Sequence, residues 1–296
     1  MRIILIIILI IISSLAIYIA IIRRNKFPKL IWTYWHDINN IPLTVTKCID
    51  TWKNNNPDYT ITILDDNKIK ELCQIDLRKE FPNIDKQNWT DEQKRARYAD
   101  FARVIIIAKY GGFWMDSSII CTKSLEWIQH ICSSAELIGF YAPHTRNTKF
   151  PILENWFFAA IPNSQYIKDW LNEIKFMSTF DKESDYVKYI IDLKTIDIQG
   201  LEDSLPYLIM HLCATLVQQK NPKLYNIYLM DGLTGPFKYL ENAKWQLPYA
   251  FEKLCNDKTL QTPLIKIRGT ERKYLEEHNI ECNNNADANV KYVINK

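Results

Sequence analysis

The order of apolar and polar positions predicts a domain in which short strands alternate with amphipathic helices. Apolar runs at Leu30–Tyr34 and at residues 59–64 indicate the first two strands, and residues 44–54 between them have the pattern of a helix. Strands that alternate with helices are typical of an α/β fold. The other predicted elements are strands at residues 119–125, 136–142, 150–160 and 263–268, and helices at residues 165–176 and 202–219.

Residues 95–118 are the most informative stretch, because charged side chains interrupt an apolar run. Just before it, Thr90 and Gln93 have the spacing of a capping box and predict the start of a helix. Asp100 and Arg103 stand three positions apart and therefore share one helix face. Burying an unpaired charge is costly. The two side chains therefore either form an internal ion pair or face a polar ligand at a cavity wall.

A turn, a strand and two polar side chains follow this helix. Gly111 and Gly112 end the helix, because glycine adopts a left-handed cap conformation without steric cost. The apolar residues 113–115 form a short strand that carries Asp116 and Ser118 to its carboxyl end. Ligands of open α/β sheets bind at the carboxyl ends of strands. The two charged residues of the helix and Asp116 are therefore predicted to meet at one place.

Composition excludes several classes of protein. The 37 Lys and Arg residues against 34 Asp and Glu give a net charge of +3, which is too balanced for a nucleic-acid partner. The seven cysteines have no C-x-x-C spacing, so we expect reduced thiols and a reducing compartment rather than a disulfide framework. The five histidines lack metal-binding spacing, and phosphate-binding glycine loops are absent.

Residues 3–22 form an apolar segment that is long enough to span a lipid bilayer. The segment is longer than a signal-peptide core and no small-residue cleavage site follows, so we interpret residues 1–25 as an uncleaved transmembrane anchor. Residues 26–280 are then the folded domain, and residues 281–296 a polar, loosely ordered tail. Basic residues after the anchor favour a cytoplasmic domain, but the side of the membrane stays open.

The spacing R-x-x-D-x-x-R, followed after seven residues by G-G-x-W-x-D-x-S, resembles the signature of DXD-type sugar transferases. The matching residues are Arg97, Asp100, Arg103, Gly111, Gly112, Trp114 and Asp116. The sequence is most similar to family 32-like glycosyltransferases, and among these to the capsular polysaccharide synthesis branch. The resemblance implies a GT-A-type, Rossmann-like domain that binds a nucleotide-sugar donor and transfers the sugar with retention of configuration.

The resemblance also implies roles for single residues. Asp100 and Arg103 would grip the donor sugar and would be catalytic together with Asp116. Further contacts to the nucleotide sugar are implied for Trp32, Trp35, Gly112, Ser118, Asn155 and Lys266. Structural alternatives stay open for most of these: core tryptophans, a hydrogen-bonded asparagine in a core strand, and a solvent-facing basic pair formed by Lys266 and Arg268.

The motif departs from the family pattern at Ser118, which stands where the second Asp of D-x-D is expected. In the family this motif holds the diphosphate and a divalent cation, Mn²⁺ or Mg²⁺, and such ions prefer oxygen ligands. The Ser118 hydroxyl is an uncharged and weaker ligand. Three outcomes are open: a metal bound by Asp116, phosphates and water, a metal-free site that uses Lys266, Arg268 or another base, or loss of activity. We expect the first.

The sequence as a whole predicts a membrane-anchored glycosyltransferase. The expected reaction moves a hexose from a nucleotide-diphosphate sugar, with UDP as the nucleotide, to a glycan or other acceptor. One alternative is a non-catalytic nucleotide-sugar- or glycan-binding protein on the same fold, which would explain Ser118. Another is a structural membrane protein that uses Asp100 and Arg103 only for packing, but this leaves the Gly-Gly-strand-Asp pattern unexplained.

Overall fold

A computed structural model describes residues 11–13, 27–132 and 134–295 of the chain. Apart from residues 11–13, the predicted transmembrane anchor at residues 3–22 lies outside the described residues. In the part of the chain that is described, no helix is both long and apolar enough to cross a membrane.

Strands and helices are interspersed along the described chain, but runs of two to four helices separate several of the strands. The strands are β1 Leu30–Tyr34, β2 Thr60–Leu64, β3 Gly112–Met115, β4 Ile119–Cys121, β5 Leu137–Tyr141, β6 Leu153–Ala160, β7 Ile227–Asp231 and β8 Leu264–Lys266. The helices are α1 Leu43–Asn55, α2 Asp66–Cys73, α3 Leu77–Glu80, α4 Asn83–Lys86, α5 Asp91–Tyr110, α6 Glu126–Ile131, α7 Gln165–Met177, α8 Glu183–Leu193, α9 Ile209–Lys220, α10 Lys238–Asn242, α11 Leu247–Asn256, α12 Gly269–Glu277 and α13 Ala288–Ile294. Two 3₁₀ turns lie at Glu202–Ser204 and Lys258–Leu260.

The central sheet has six strands in the order β2-β1-β3-β6-β5-β7. β1 is parallel to β2 and β3, and β5 is parallel to β7, whereas β6 runs antiparallel to both β3 and β5. Five of the six strands therefore point the same way, and their carboxyl ends lie along one edge of the sheet. A separate two-stranded antiparallel ribbon consists of β4 and β8. The fold is mixed α/β with a largely parallel sheet.

The two faces of the central sheet carry separate hydrophobic cores. Along β3, Phe113 and Met115 point into one core and Trp114 into the other, because successive side chains of a strand alternate between faces. The first core includes buried residues of α1, α11 and α13, and the second includes those of α5, α7 and α9. The long helix α5 therefore packs against β1 and β3 on the face of the sheet that carries Trp114, and it positions its charged residues near the sheet.

Most predicted elements are confirmed, although several have different boundaries. The capping box of Thr90 and Gln93 opens α5, and β1 has the predicted bounds. The strand predicted at residues 119–125 ends at Cys121, since Leu125 already caps α6. The helix predicted at residues 202–219 begins only with α9, because Pro206 has no backbone N–H for an earlier helical turn.

Two predictions about the C-terminal part are wrong. The tail predicted to be loosely ordered contains α13, whose buried Val290 and Val293 pack in the first core. The cysteines are not all reduced thiols, since Cys255 and Cys282 form a disulfide. They lie 27 positions apart, and the fold brings their Cα atoms to 4.5 Å. This pairing depends on tertiary contacts, so the cysteine spacing carried no signal for it.

Candidate functional site

Asp116 lies at the carboxyl end of β3 and is held from several sides. Its backbone N–H donates to the Trp156 carbonyl of β6 at 2.9 Å. Its Oδ1 atom accepts hydrogen bonds from Trp114 Nε1 at 3.0 Å and from Arg103 Nη2 at 3.3 Å. Its Oδ2 atom accepts a hydrogen bond from Lys266 Nζ at 2.8 Å. One carboxylate therefore joins β3 to α5 and to β8.

The charges around Asp116 determine its protonation state. Burial alone would raise the pKa of this carboxyl group. The ammonium of Lys266 and the guanidinium of Arg103, together with hydrogen bonds from Lys266 and Trp114, outweigh burial and hold the pKa below its ordinary value. Asp116 is therefore an anion at neutral pH.

The predicted pair Asp100 and Arg103 lies on one face of α5 beside Asp116. Arg103 Nη1 is 3.2 Å from Asp100 Oδ1 and donates to the Asn155 carbonyl at 2.9 Å. The Asn155 amide in turn donates to Asp100 Oδ1 at 3.1 Å. The structure therefore brings together Asp100, Arg103, Asp116 and Asn155, which the sequence also predicted to meet.

A second arginine of α5 extends this network. Arg97 Nη1 donates to Asp100 Oδ2 at 2.8 Å, and Arg97 Nη2 donates to Glu183 Oε2 at 3.0 Å. Burial raises the pKa of Glu183 to about 7, against the opposing effect of Arg97. The sequence does not mark Glu183 as a site residue, because nothing in its polar surroundings distinguishes it from exposed carboxylates.

These side chains form a charge cluster of three cations and three carboxylates: Arg97, Arg103, Lys266, Asp100, Asp116 and Glu183. Their exposure differs in an informative way. The side chains of Asp116 and Asp100 are 26% and 16% exposed, whereas the three cations are only 7–8% exposed. Two carboxylates therefore form the accessible face, with the cations behind them. Carboxylates accept strong hydrogen bonds from hydroxyl groups, so this face suits a polyhydroxylated ligand.

Lys266 reaches the charge cluster from the two-stranded ribbon. In this ribbon Lys266 pairs with Ile119, and the Ser118 hydroxyl donates to the Ile267 carbonyl at 2.6 Å. Lys266 Nζ lies 2.8 Å from Asp116 Oδ2 and 3.5 Å from Ser118 Oγ. Lys266 is thus buried and directed at the cluster, so it is not half of a solvent-facing basic pair.

Arg268, two residues beyond Lys266, is directed elsewhere. Its Nη2 atom is 2.6 Å from Glu271 Oε1, and its guanidinium lies 4.7 Å from the centre of the Trp245 ring. The structure therefore separates the two basic residues that the sequence grouped, and only Lys266 joins the charge cluster.

In this arrangement Asp116 and Ser118 do not fit a cation bound between them. The Lys266 ammonium already faces both Asp116 Oδ2 and Ser118 Oγ, and the serine hydroxyl is engaged with a backbone carbonyl. Among the described residues, no group of three or more His, Cys, Asp or Glu side chains could hold a metal ion. A cation that bridges Asp116 and Ser118 would first have to displace Lys266.

Trp32 and Gly112 lie away from the charge cluster, near the amino end of β3. Trp32 is buried, and its Nε1 atom donates to the Gly111 carbonyl at 3.0 Å. Gly112 has a φ of +90°, and a Cβ atom there would lie 2.6 Å from the Leu30 carbonyl oxygen. This geometry favours the structural alternative for Trp32, and it gives Gly112 a packing role.

Trp35 follows β1 at the carboxyl-end edge of the sheet and is half-buried. Its Nε1 atom donates to the Asn40 carbonyl at 3.2 Å, and the Arg272 guanidinium lies 5.5 Å from the centre of its ring. Arg272 also lines an open cleft of about 630 Å³, together with Gly269 and Glu92 among others. Of the two tryptophans for which the resemblance implies a contact with the nucleotide sugar, Trp35 is the more exposed one.

A buried pair next to Asn155 was also missed. Glu154 Oε2 lies 3.6 Å from His211 Nε2, and both residues are buried. No sequence pattern joins them, because they are far apart in the chain and His211 matches no metal-binding spacing.

Comparisons with known proteins show what this chain is similar to. The sequence profile of the capsular polysaccharide synthesis protein family matches residues 19–268. O-glycosyltransferase braB of Annulohypoxylon truncatum is 27% identical over 157 residues, which are 50% of this chain and 37% of the relative. The initiation-specific alpha-1,6-mannosyltransferase of Candida albicans is 31% identical over 120 residues, which are 39% of this chain and 30% of the relative.

The match thus spans only about a third of the length of each curated relative. Among solved structures, the PaToxG glycosyltransferase aligns with 88% of this chain and 91% of its own, at 19% identity and a TM-score of 0.42. The profile covers most of the sequence, including every residue of the charge cluster. This chain belongs to the capsular polysaccharide synthesis protein family.

Proposed function

We propose that this protein is a glycosyltransferase that moves a hexose from a nucleotide-diphosphate sugar, with UDP as the nucleotide, to a glycan or other acceptor. Membership of the family supports the reaction class, and so do the names of two relatives, an O-glycosyltransferase and an alpha-1,6-mannosyltransferase. The resemblance of the motif in residues 97–116 supports a GT-A-type domain and retention of configuration. Anchoring in a lipid bilayer through residues 3–22 is part of the proposal.

The observation that carries the proposal is the meeting of Asp100, Arg103 and Asp116 at the carboxyl-end edge of the sheet. They come from α5 and β3 and are joined by direct contacts of 3.2 and 3.3 Å. The two partly exposed carboxylates are suited to accept hydrogen bonds from the hydroxyls of a sugar. Arg103 holds both carboxylates in place and donates to the Asn155 carbonyl.

Sugar transfer also creates negative charge on the departing diphosphate, which the site must stabilise. Two of the three cations in the cluster belong to α5. The third, Lys266, comes from β8 and contacts Asp116 from the opposite side. We assign Asp100 and Arg103 to the sugar, Asp116 to positioning of the cations, and Lys266 to the diphosphate. Trp35 is assigned to the nucleobase.

Substitution of the two accessible carboxylates tests the proposal. We expect Asp116→Asn and Asp100→Ala to lower sugar transfer by about 100-fold or more, because groups that act on the transition state are worth several kcal/mol. Donor hydrolysis and transfer should be measured over a panel of UDP- and GDP-sugars, with circular dichroism to show that each variant is folded.

Glu71→Gln is the matched control, because this carboxylate lies on the surface of α2 and its side chain is 63% exposed. Its activity should equal that of the wild type. If both site variants keep full activity, the assignment of the site is wrong.

A second candidate is a nucleotide-sugar-binding protein without turnover. The observation in its favour is Ser118, whose hydroxyl donates to the Ile267 carbonyl rather than pointing freely into the site. Calorimetry with UDP, followed by a donor-hydrolysis assay, separates the two candidates. Binding without any turnover over the donor and acceptor panel would favour the second.

A further inference from the structure

We propose that the Lys266 ammonium takes the place of a divalent cation, so that this protein binds the diphosphate of its ligand without a metal ion. The inference rests on the proposed function and concerns the same site. In a D-x-D arrangement the carboxylates at positions 116 and 118 would share one cation. Here the Asp116 carboxylate and the Ser118 hydroxyl both face Lys266 Nζ, at 2.8 and 3.5 Å.

The loss of the second carboxylate and the presence of Lys266 are complementary. An aspartate at position 118 would give a divalent cation a second negative ligand, whereas a hydroxyl gives no charge. The Ser118 hydroxyl is also fixed by its hydrogen bond to the Ile267 carbonyl, which belongs to the residue after Lys266. The same backbone segment thus positions the lysine and engages the serine.

The backbone of Lys266 is held on both sides, so that its side chain is pre-positioned. Its N–H donates to the Pro236 carbonyl at 3.2 Å, and its carbonyl accepts a hydrogen bond from the Tyr239 hydroxyl at 3.0 Å. The residue is 6% exposed, and its ammonium lies 6.0 Å from the centre of the Trp156 ring. Little reorganisation is needed for such a charge to meet an arriving phosphate.

Displacement of Lys266 by a metal ion would be costly. Breaking a buried ion pair by removing one partner costs about 3–5 kcal/mol, since it leaves a charge buried without compensation. Asp116 is the anion that directly contacts the Lys266 ammonium in the described structure. A metal held by Asp116, phosphate and water would have to offset this loss, whereas Lys266 needs only to share its hydrogen bonds with the phosphate.

In the transfer step, the bond between the anomeric carbon and the phosphate oxygen breaks, and its electron pair stays on the diphosphate. The acceptor hydroxyl forms the new bond to that carbon, and its proton passes to the departing diphosphate. Lys266 donates hydrogen bonds to the phosphate and stabilises its added charge. Its role is therefore that of a fixed cation.

A titration with Mn²⁺ alone tests the inference without any nucleotide. We expect the full-length wild type to bind no stoichiometric Mn²⁺ at about 0.1 mM, a concentration at which weak carboxylate sites begin to fill, as measured by electron paramagnetic resonance. The variant Lys266→Met with Ser118→Asp should gain one bound Mn²⁺, because it removes the resident cation and restores the second carboxylate. Adding Asp116→Asn should abolish that binding. A stoichiometric Mn²⁺ site in the wild type that Asp116→Asn removes would overturn the inference.

Calorimetry with UDP is the second measurement. Wild-type affinity should be the same within about twofold in EDTA and in Mn²⁺, and Lys266→Met should bind about tenfold or more weakly in both, as expected for loss of a charged hydrogen bond. Lys53→Met is the control, since this lysine lies on α1 with a side chain that is 59% exposed. A tenfold gain of wild-type affinity with Mn²⁺, or unchanged binding by Lys266→Met, would contradict the inference. If UDP does not bind in any condition, the proposed donor is wrong, and the Mn²⁺ titration still decides the role of Lys266.

Discussion

The two ends of β3 belong to one short sequence motif, yet they differ in almost every physical property. At the amino end, Gly112 has a positive φ and lies so close to Leu30 that a side chain would not fit. At the carboxyl end, Asp116 contacts two cations and a tryptophan N–H. One end needs the absence of a side chain, and the other needs a particular charged one.

This difference divides the motif into a folding half and a ligand-binding half. The Gly111 carbonyl accepts the Trp32 indole hydrogen bond, and a Cβ atom at Gly111 would approach Pro162 N at 2.6 Å. The glycines thus allow α5, β1 and β6 to pack closely at the amino end. At the other end, close packing is replaced by charges that compensate one another. A motif match therefore does not make each of its residues a ligand.

The largest expected effect is that of Gly112→Ala. The added methyl group would lie 2.6 Å from the Leu30 carbonyl oxygen, at a φ of +90° that alanine rarely adopts. We expect a loss of about 3 kcal/mol or more in the free energy of unfolding, measured with urea, or failure to fold. Gly269→Ala is the control, because a Cβ atom there meets nothing within 4 Å. If the two variants were equally stable, close packing at the amino end of β3 would not be required, and the proposed difference between the two ends of the strand would be wrong.

A smaller effect is expected from the pH dependence of Glu183, at the rear of the charge cluster. Burial raises its pKa from 4.5 to about 7, while Arg97 lowers the pKa and Asp100 raises it. A carboxyl group with a raised pKa in the folded state favours folding in its protonated form. Its contribution is therefore complete below pH 4.5 and is lost as the pH rises through 7.

The measurement is urea unfolding of the wild type and of Glu183→Gln between pH 5 and pH 8. The wild type should lose about 2 kcal/mol relative to the glutamine variant over this range, because only the glutamate titrates. Titrations of other groups cancel in the difference. A difference between the two proteins that does not change with pH would show that Glu183 is fully ionised beside Arg97.

Local signals explain which parts of this site the sequence could predict. Thr90 and Gln93 are three positions apart, and the capping box that they form depends only on that spacing. Asp100 and Arg103 share a helix face for the same reason, and Asp116 follows directly from the end of an apolar strand. Each of these predictions needs only the geometry of one helix or one strand, and the structure confirms that the three charged residues meet.

The remaining parts depend on contacts between distant segments. Lys266 is 150 positions from Asp116, and only the family resemblance, not the pattern of its own strand, indicated a contact with the nucleotide sugar. Glu183 joins Arg97 across 86 positions, and Cys255 meets Cys282 only through the fold. In each case the residue type is common, and only its burial in the folded protein sets it apart. The neighbouring residues in the chain do not reveal that burial.

The smallest expected effect concerns Trp35, which extends the comparison from β3 to its neighbour β1. Trp32 is buried near the amino-end glycines, whereas Trp35 is half-buried at the carboxyl-end edge beside Arg272. If Trp35 stacks on the nucleobase, Trp35→Ala should weaken UDP binding about tenfold, since stacking on an aromatic ring is worth about 1–3 kcal/mol.

Trp127→Ala is the control, because α6 lies near the amino end of β1, where Gln129 contacts Phe27. Calorimetry should show weaker binding only for Trp35→Ala. Equal binding by the two variants would assign Trp35 to packing, and the carboxyl-end edge would then contribute charge but no aromatic surface to the ligand.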